Sequence, residues 1–157
     1  MNRKRWAVLF VVIAVTIAGC GPAGSPLLTE SLDAEEVTGI FVVLAMGNPE
    51  YGADSRMIED PGEIDALVEA FNGASIGERV KDEDLAVADT SRYRVYRGDV
   101  LIEEIVFNGN DSERVWHSSG WRYVSYPDET PYDIYRNSEA EIVVVDEDLQ
   151  PMQRPGE

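Results

Sequence analysis

The sequence predicts an α+β fold, in which one amphipathic helix packs on one face of an antiparallel sheet and a short helix lies near the C-terminus. Three observations predict it: an apolar, β-branched run at 40–44, a capped helical pattern at about 60–72, and a series of short β-rich segments between 92 and 126. Short turns join these later segments, as they do in antiparallel hairpins.

The first strand is predicted over Val37–Met46, because the Ile40-Phe-Val-Val-Leu run has the β-branched and aromatic content of a buried central strand. A turn follows over 47–52, where two glycines and a proline interrupt the pattern. Ser55–Glu59, around Met57 and Ile58, is predicted to return as a second strand.

The helix at about 60–72 has start and stop signals. Asp60 is expected at the N-cap, Pro61 in the first helical position, and Glu63 three residues after the cap in a capping-box pattern. Asn72-Gly73 is expected to end the helix in a left-handed conformation. One apolar stripe predicts the buried face, at spacings i, i+3, i+4 and i+7: Ile64, Leu67, Val68 and Phe71.

After a charged connection over 74–89, expected to be irregular, the pattern predicts a hairpin. Arg92–Arg97 and Val100–Asn108 flank Gly98-Asp99, a two-residue turn that needs a positive φ at glycine. The simplest register pairs Arg97 with Val100, Val95 with Ile102, and Arg94 with Glu103. The last of these pairs places opposite charges across the ladder.

The remaining segments are shorter. Arg114–Ser118 and Trp121–Tyr126 are predicted strands around Ser119-Gly120. Residues 127–135 predict a turn and a short helix capped near Asp128 or Thr130, and Glu141–Asp146 predicts a final strand. The whole predicts a single α+β domain over 37–146, preceded by a flexible tether over 20–36 and followed by a disordered tail over 147–157.

The N-terminus has the layout of an export signal. Arg3, Lys4 and Arg5 precede an apolar run over 6–18, which is shorter than the roughly 20 residues that a membrane-spanning helix needs. Ile17-Ala18-Gly19-Cys20 then resembles the lipobox of bacterial lipoproteins. The resemblance implies a signal peptide over 1–19, cleavage between Gly19 and Cys20, and a diacylglyceryl thioether and palmitate on Cys20. A plain secretory cleavage site and an uncleaved anchor are the alternatives.

That resemblance implies a protein held at the extracytoplasmic face of the cell membrane, or at the outer membrane if the host is Gram-negative. Cys20 is the only cysteine, so the exported domain has no intramolecular disulfide. The segment from Ile40 to Tyr135 resembles small uncharacterised lipoproteins of Gram-positive bacteria, and the matching residues are Ile58–Phe71, Tyr93, Val95, Tyr123 and Ile134-Tyr135. This second resemblance implies no activity.

The chain is strongly acidic. Three of its 13 basic residues and none of its 30 acidic ones lie in the signal, so the formal charge falls from −17 for the chain to −20 from Cys20 onward. This charge argues against nucleic acid as a partner, which needs a basic surface, and against close contact with an anionic bilayer. Acidity typical of the host proteome is the simplest explanation, and a role toward a basic partner or divalent cations is the alternative.

Enzyme signatures are absent from the sequence, so we expect a non-enzyme with no cofactor and no metal. His117 is the only histidine, which excludes sites built from two histidines, and no phosphate-binding glycine loop occurs. Four oxygen-bearing side chains suited to calcium share one turn, but their spacing does not match an EF-hand loop: Asn108, Asn110, Asp111 and Glu113.

The most informative candidate site is aromatic. Tyrosine, tryptophan and arginine are enriched at binding hot spots, and they interleave in the predicted strands. We expect a face that binds a protein or a cell-wall component, formed by Arg94, Tyr96, Trp121 and Tyr123; packing of Trp116 or Trp121 beneath the helix is the alternative. A carboxylate-dependent envelope hydrolase and an inhibitor or immunity-type protein are the other functions that the composition allows.

Overall fold

The computed structural model describes residues 24–45, 53–81, 84–85, 90–109, 112–118 and 120–143. They form one eight-stranded antiparallel sheet, two α-helices and a short 3-10 helix at Ala34–Glu36, which confirms the predicted α+β class. The strands are β1 (Ser25–Pro26), β2 (Gly39–Ala45), β3 (Ala53–Ile58), β4 (Ser75–Arg79), β5 (Thr90–Arg97), β6 (Val100–Asn108), β7 (Arg114–His117) and β8 (Gly120–Ser125). The helices are α1 (Pro61–Gly73) and α2 (Pro131–Asn137).

The strands lie in the order β1-β4-β8-β7-β6-β5-β2-β3. Helix α1 packs on one face of this sheet through an aromatic cluster. The Phe71 ring is edge-on to Tyr93, with centroids 5.5 Å apart, and stacks on Phe107 at 6.4 Å. All three residues are fully buried, so the core lies between α1 and the centre of the sheet.

Helix α1 begins as its sequence predicts. The Asp60 carboxylate accepts hydrogen bonds from the backbone N–H groups of Gly62 and Glu63, at 2.9 and 3.1 Å. Glu63 does not complete the predicted capping box, because its carboxylate accepts from the Ser138 hydroxyl at 2.6 Å instead. This contact ties the first turn of α1 to the end of α2.

The predicted left-handed stop of α1 is wrong. The helix continues through Gly73, and among the described residues only Gly98 and Gly109 are glycines with a positive φ. A Cβ at Gly73 would lie 2.8 Å from Cγ of Pro127, so the glycine is needed for close packing rather than for a turn. Asn72 uses its side-chain amide to hold the backbone of Leu32, with both hydrogen bonds at 2.8 Å.

Two segments expected to lack regular structure belong to the sheet. Strand β4 lies in the predicted irregular connection; its single buried apolar residue, Ile76, gave no strand pattern, and pairing with β8 stabilises it. Ser25–Pro26 pairs with β4, and Leu27 and Leu28 are buried in the core. The predicted flexible tether over 20–36 is therefore wrong for these residues, because the two leucines contribute to the core.

The hairpin of β5 and β6 forms as predicted, with φ of 57° at Gly98 and Arg97 paired with Val100. Beyond Tyr96 and Leu101, however, a β-bulge shifts the register, so that Val95 pairs with Glu103 and Arg94 with Glu104. The pairs predicted for Ile102 and Glu103 are therefore wrong by one residue. A bulge adds one residue to one strand, and side-chain alternation alone does not reveal where.

The C-terminal elements agree with the sequence in part. Thr130 caps α2, accepting a hydrogen bond from the N–H of Asp133 at 3.1 Å in a complete capping box. Of the predicted last strand, the structure describes 141–143, where Ile142 forms an isolated bridge with Arg56 and the Val143 N–H donates to the Ser55 carbonyl at 2.7 Å. The predicted signal, the Gly47–Gly52 turn and the tail lie outside the described residues, as do Cys20 and 144–146.

Candidate binding face

The sheet face opposite α1 carries the predicted binding residues, and we call it the outer face. Side chains alternate along each strand, so the residues next to buried core positions point to this face. The register places Met57, Phe41, Arg94 and Glu104 in one row across four strands. The helices pack on the other side of the same strands.

Arg94 and Tyr96 both lie on the outer face at β5, while Tyr93 points to the core, as the alternation predicts. The Arg94 Nε donates to Oε2 of Glu104 at 2.7 Å, and the Arg94 side chain is 17% exposed. The bulge in β6 produces this pair, since it aligns Glu104, rather than Glu103, with Arg94. The Glu104 carboxylate therefore pairs with the Arg94 cation, while Arg94 and Tyr96 are both half-buried.

Trp121 and Tyr123 lie on the outer face of β8. Trp121 pairs with Trp116 of β7, and the two indole rings meet edge to face with centroids 5.4 Å apart. Val115, next to Trp116, is buried in the core, so both tryptophans point away from α1. The alternative, in which Trp116 or Trp121 packs beneath the helix, is therefore wrong.

The four predicted residues share one face but form two groups. Strands β6 and β7 separate β5 from β8. On β5, the residue in the same cross-strand row as Trp121 is Arg92, and Tyr96 lies four residues further along that strand. With strands about 4.8 Å apart and a rise of about 3.3 Å per residue, Tyr96 and Trp121 are roughly 20 Å apart. A ligand that touches both groups must therefore be as large as a protein segment or a polymer.

The centre of the outer face is buried and charged. Arg92 is 4% exposed, and its Nη1 lies 3.8 Å from the Oε2 of Glu104 that also binds Arg94. Its Nε and Nη2 have no hydrogen-bond partner within the part of the chain that the structure describes. Desolvation lowers the pKa of the Arg92 guanidinium; Glu104 opposes this effect and the Arg94 charge adds to it.

Two tyrosines of the aromatic segment belong to the core instead. Burial raises the pKa of Tyr93 and of Tyr126 well above the ordinary value, because desolvation disfavours the phenolate. The Tyr126 hydroxyl donates to the carbonyl of Ser112 at 3.0 Å. Both residues contact the ring of Phe107, so they stabilise the fold from the core side of the sheet and are not part of the outer face.

Where the structure describes them, the residues considered for catalysis or metal binding do not come together as a site. His117 Nδ1 and Ser118 Oγ are 2.9 Å apart at the end of β7, but the pair lies at an exposed strand end. No group of three or more acidic, histidine or cysteine side chains is arranged to hold a metal ion in the described ranges. Asn110 and Asp111 of the predicted calcium-like turn lie outside the described ranges.

Within the described ranges, no helix has the length and hydropathy to cross a membrane.

No protein-family model, no curated protein and no solved structure matches the chain. The candidate site is therefore defined by its own geometry. Sequence reasoning omitted Arg92 and Trp116 from the predicted face. Alternation along β5 from Arg94 identifies Arg92, whereas Trp116 is identified by its pairing with Trp121 across β7 and β8. Sequence reasoning also missed an open cleft beside Gly39, at the start of β2. The only sequence signal for this cleft is a glycine inside a strand pattern.

Proposed function

We propose that this chain is an extracytoplasmic lipoprotein, anchored by a lipid on Cys20, which binds a protein or a cell-envelope component through its outer face. The observation that carries the binding proposal is the Trp116–Trp121 pair, on the side of the sheet away from both helices. Tyr123 is next to Trp121 on that side, and all three are half-buried. Large aromatic side chains that keep part of their surface in solvent contribute most at interfaces.

The anchor is tested by metabolic labelling with an alkyne analogue of palmitate. Wild-type protein is expected to take up the label and to remain in the membrane fraction after a high-salt wash. Cys20→Ser is expected to lose both properties, because no other cysteine is present to receive the lipid. Ser25→Ala serves as the matched control. An unlabelled wild-type protein contradicts the anchor.

The binding face is tested in the host envelope by photocrosslinking. Benzoylphenylalanine placed at Tyr123, on the outer face, is expected to form a discrete adduct with an envelope component. The same residue at Tyr132, on α2, is the control and is expected to form none. Adding Trp121→Ala and Tyr96→Ala should remove the adduct, whereas Ile142→Ala should not. Equal adducts from both positions, or none from position 123, refute the proposal.

A further inference from the structure

A cleft opens at one end of the outer face, where the β5–β6 hairpin meets the start of β2. Its volume is about 330 Å³, within the range of small binding sites. Gly39 forms the floor, because the glycine has no side chain to fill the space beside Met57. The lining residues are Thr38, Gly39, Met57, Glu59, Tyr96, Gly98 and Asp99; we call this space the Gly39 cleft.

The walls of the Gly39 cleft are held in place by backbone contacts. The N–H of Thr38 donates to the carbonyl of Tyr96 at 2.9 Å. The Thr38 hydroxyl also accepts a hydrogen bond from the N–H of Gly98 at 2.8 Å. Glu36 forms an ion pair with Arg97 beside them. The hairpin is thus fixed against β2, and the cleft exists before any ligand arrives, which lowers the entropic cost of binding.

The chemistry of the Gly39 cleft is amphipathic. Met57, which is 38% exposed, and the Tyr96 ring supply apolar walls, while the exposed carboxylates of Glu59 and Asp99 supply negative charge. Lysine and arginine side chains have the matching pattern, since they place an aliphatic stem on apolar surface and keep the cation at a polar rim. The tyrosine ring adds a favourable cation–π surface.

A second cleft of about 640 Å³ continues from the first and shares Met57 and Glu59 with it. Its other lining residues are Asp60, Glu63, Glu139, Ala140, Glu141 and Val143. Among the residues that the structure describes, no lysine or arginine lines either space. We treat the two clefts together as one groove, because Met57 and Glu59 line both of them. An extended chain with basic residues at intervals matches the charge along its length.

We propose that the Gly39 cleft receives a lysine or arginine side chain from a basic, extended segment of a protein partner. The inference rests on the proposed function and specifies it: the partner bound by the outer face is a protein, and its segment at the Tyr96 end is cationic. The acidity of the chain then acts at a defined place, where it strengthens and orients the encounter with this segment.

The test measures fluorescence anisotropy of a labelled Leu-Lys-Leu-Lys-Leu peptide with the full chain in neutral detergent. The same peptide with both lysines acetylated tests the need for charge. Gly39→Val fills the cleft without changing charge, and its backbone φ is not in the left-handed region. We expect it to raise Kd at least tenfold. Glu59→Gln is expected to raise Kd threefold or more.

Glu78→Gln is the matched control, because Glu78 is an exposed carboxylate on β4, near the opposite edge of the sheet. It is expected to change Kd by less than twofold. If Glu78→Gln raises the Kd of the peptide as much as Glu59→Gln does, only the overall acidity of the chain attracts the peptide. That result overturns the proposal. An unchanged Kd in folded Gly39→Val does the same. If Gly39→Val does not fold, the double variant Glu59→Gln, Asp99→Asn decides instead.

The peptide titration and the crosslink at position 123 together separate this inference from the proposed function. If the peptide does not bind but the adduct at position 123 forms, the proposal for the Gly39 cleft is refuted and the proposed binding by the outer face is supported. Peptide binding without that adduct refutes the binding face around Trp121.

Discussion

Replacing Arg92 with methionine is expected to raise the free energy of unfolding. The Arg92 side chain is 5% exposed, and two of its three guanidinium nitrogens have no hydrogen-bond partner among the described residues. Its contact with Glu104, at 3.8 Å, is long for an ion pair. Methionine has a similar reach, fills the same space and leaves no buried donor without a partner.

The magnitude follows from three contributions. A buried donor without a partner costs about 1–3 kcal/mol, and more when it is charged. Apolar replacement of a poorly compensated buried ion has stabilised other proteins by about 1–4 kcal/mol. Against this, the contact with the partly exposed Glu104 contributes at most about 1 kcal/mol. We therefore expect Arg92→Met to stabilise the protein by about 1–3 kcal/mol.

Urea unfolding followed by circular dichroism measures the change, which corresponds to a midpoint higher by roughly 1 M. Arg94→Met is the matched control, two residues away on the same face. It removes the 2.7 Å hydrogen bond to Glu104, so it is expected to destabilise the protein by about 1–3 kcal/mol. If both variants lower the midpoint, the Arg92 guanidinium is well compensated and the reasoning is refuted.

Three further predictions use the same unfolding assay. Phe71→Ala should destabilise the protein by about 3–5 kcal/mol, because the fully buried ring anchors α1 to the sheet; a loss below 1 kcal/mol would show that α1 is not anchored there. Asp60→Ala should cost about 1 kcal/mol and Asp60→Asn much less, since asparagine also caps helices. Stability should fall above pH 10, because the unfolded chain releases the protons of Tyr93 and Tyr126 there while the raised pKa values keep them bound in the fold. The slope is roughly 1 kcal/mol per pH unit for each tyrosine, and Tyr126→Phe should reduce it; an unchanged slope would contradict burial of that hydroxyl.

The sequence by itself determined the features that depend on near neighbours. Asp60 caps α1 because the N–H groups it accepts from are two and three residues away, and Gly98 forms its turn with the residue that follows it. Side-chain alternation likewise separates Tyr93, in the core, from Arg94 and Tyr96, on the outer face. These relations need no knowledge of which strands pair.

Only the tertiary structure decided the features that join distant parts of the chain. The partner of Glu63 is Ser138, 75 residues away, and the space required by Pro127 explains Gly73. Strand β4 forms because β8 supplies its hydrogen bonds, although its own residues carry little apolar signal. The Gly39 cleft brings together Gly39, Met57 and Tyr96 from three strands. Contacts of this kind depend on strand order, bulges and packing, which the composition of each segment does not encode.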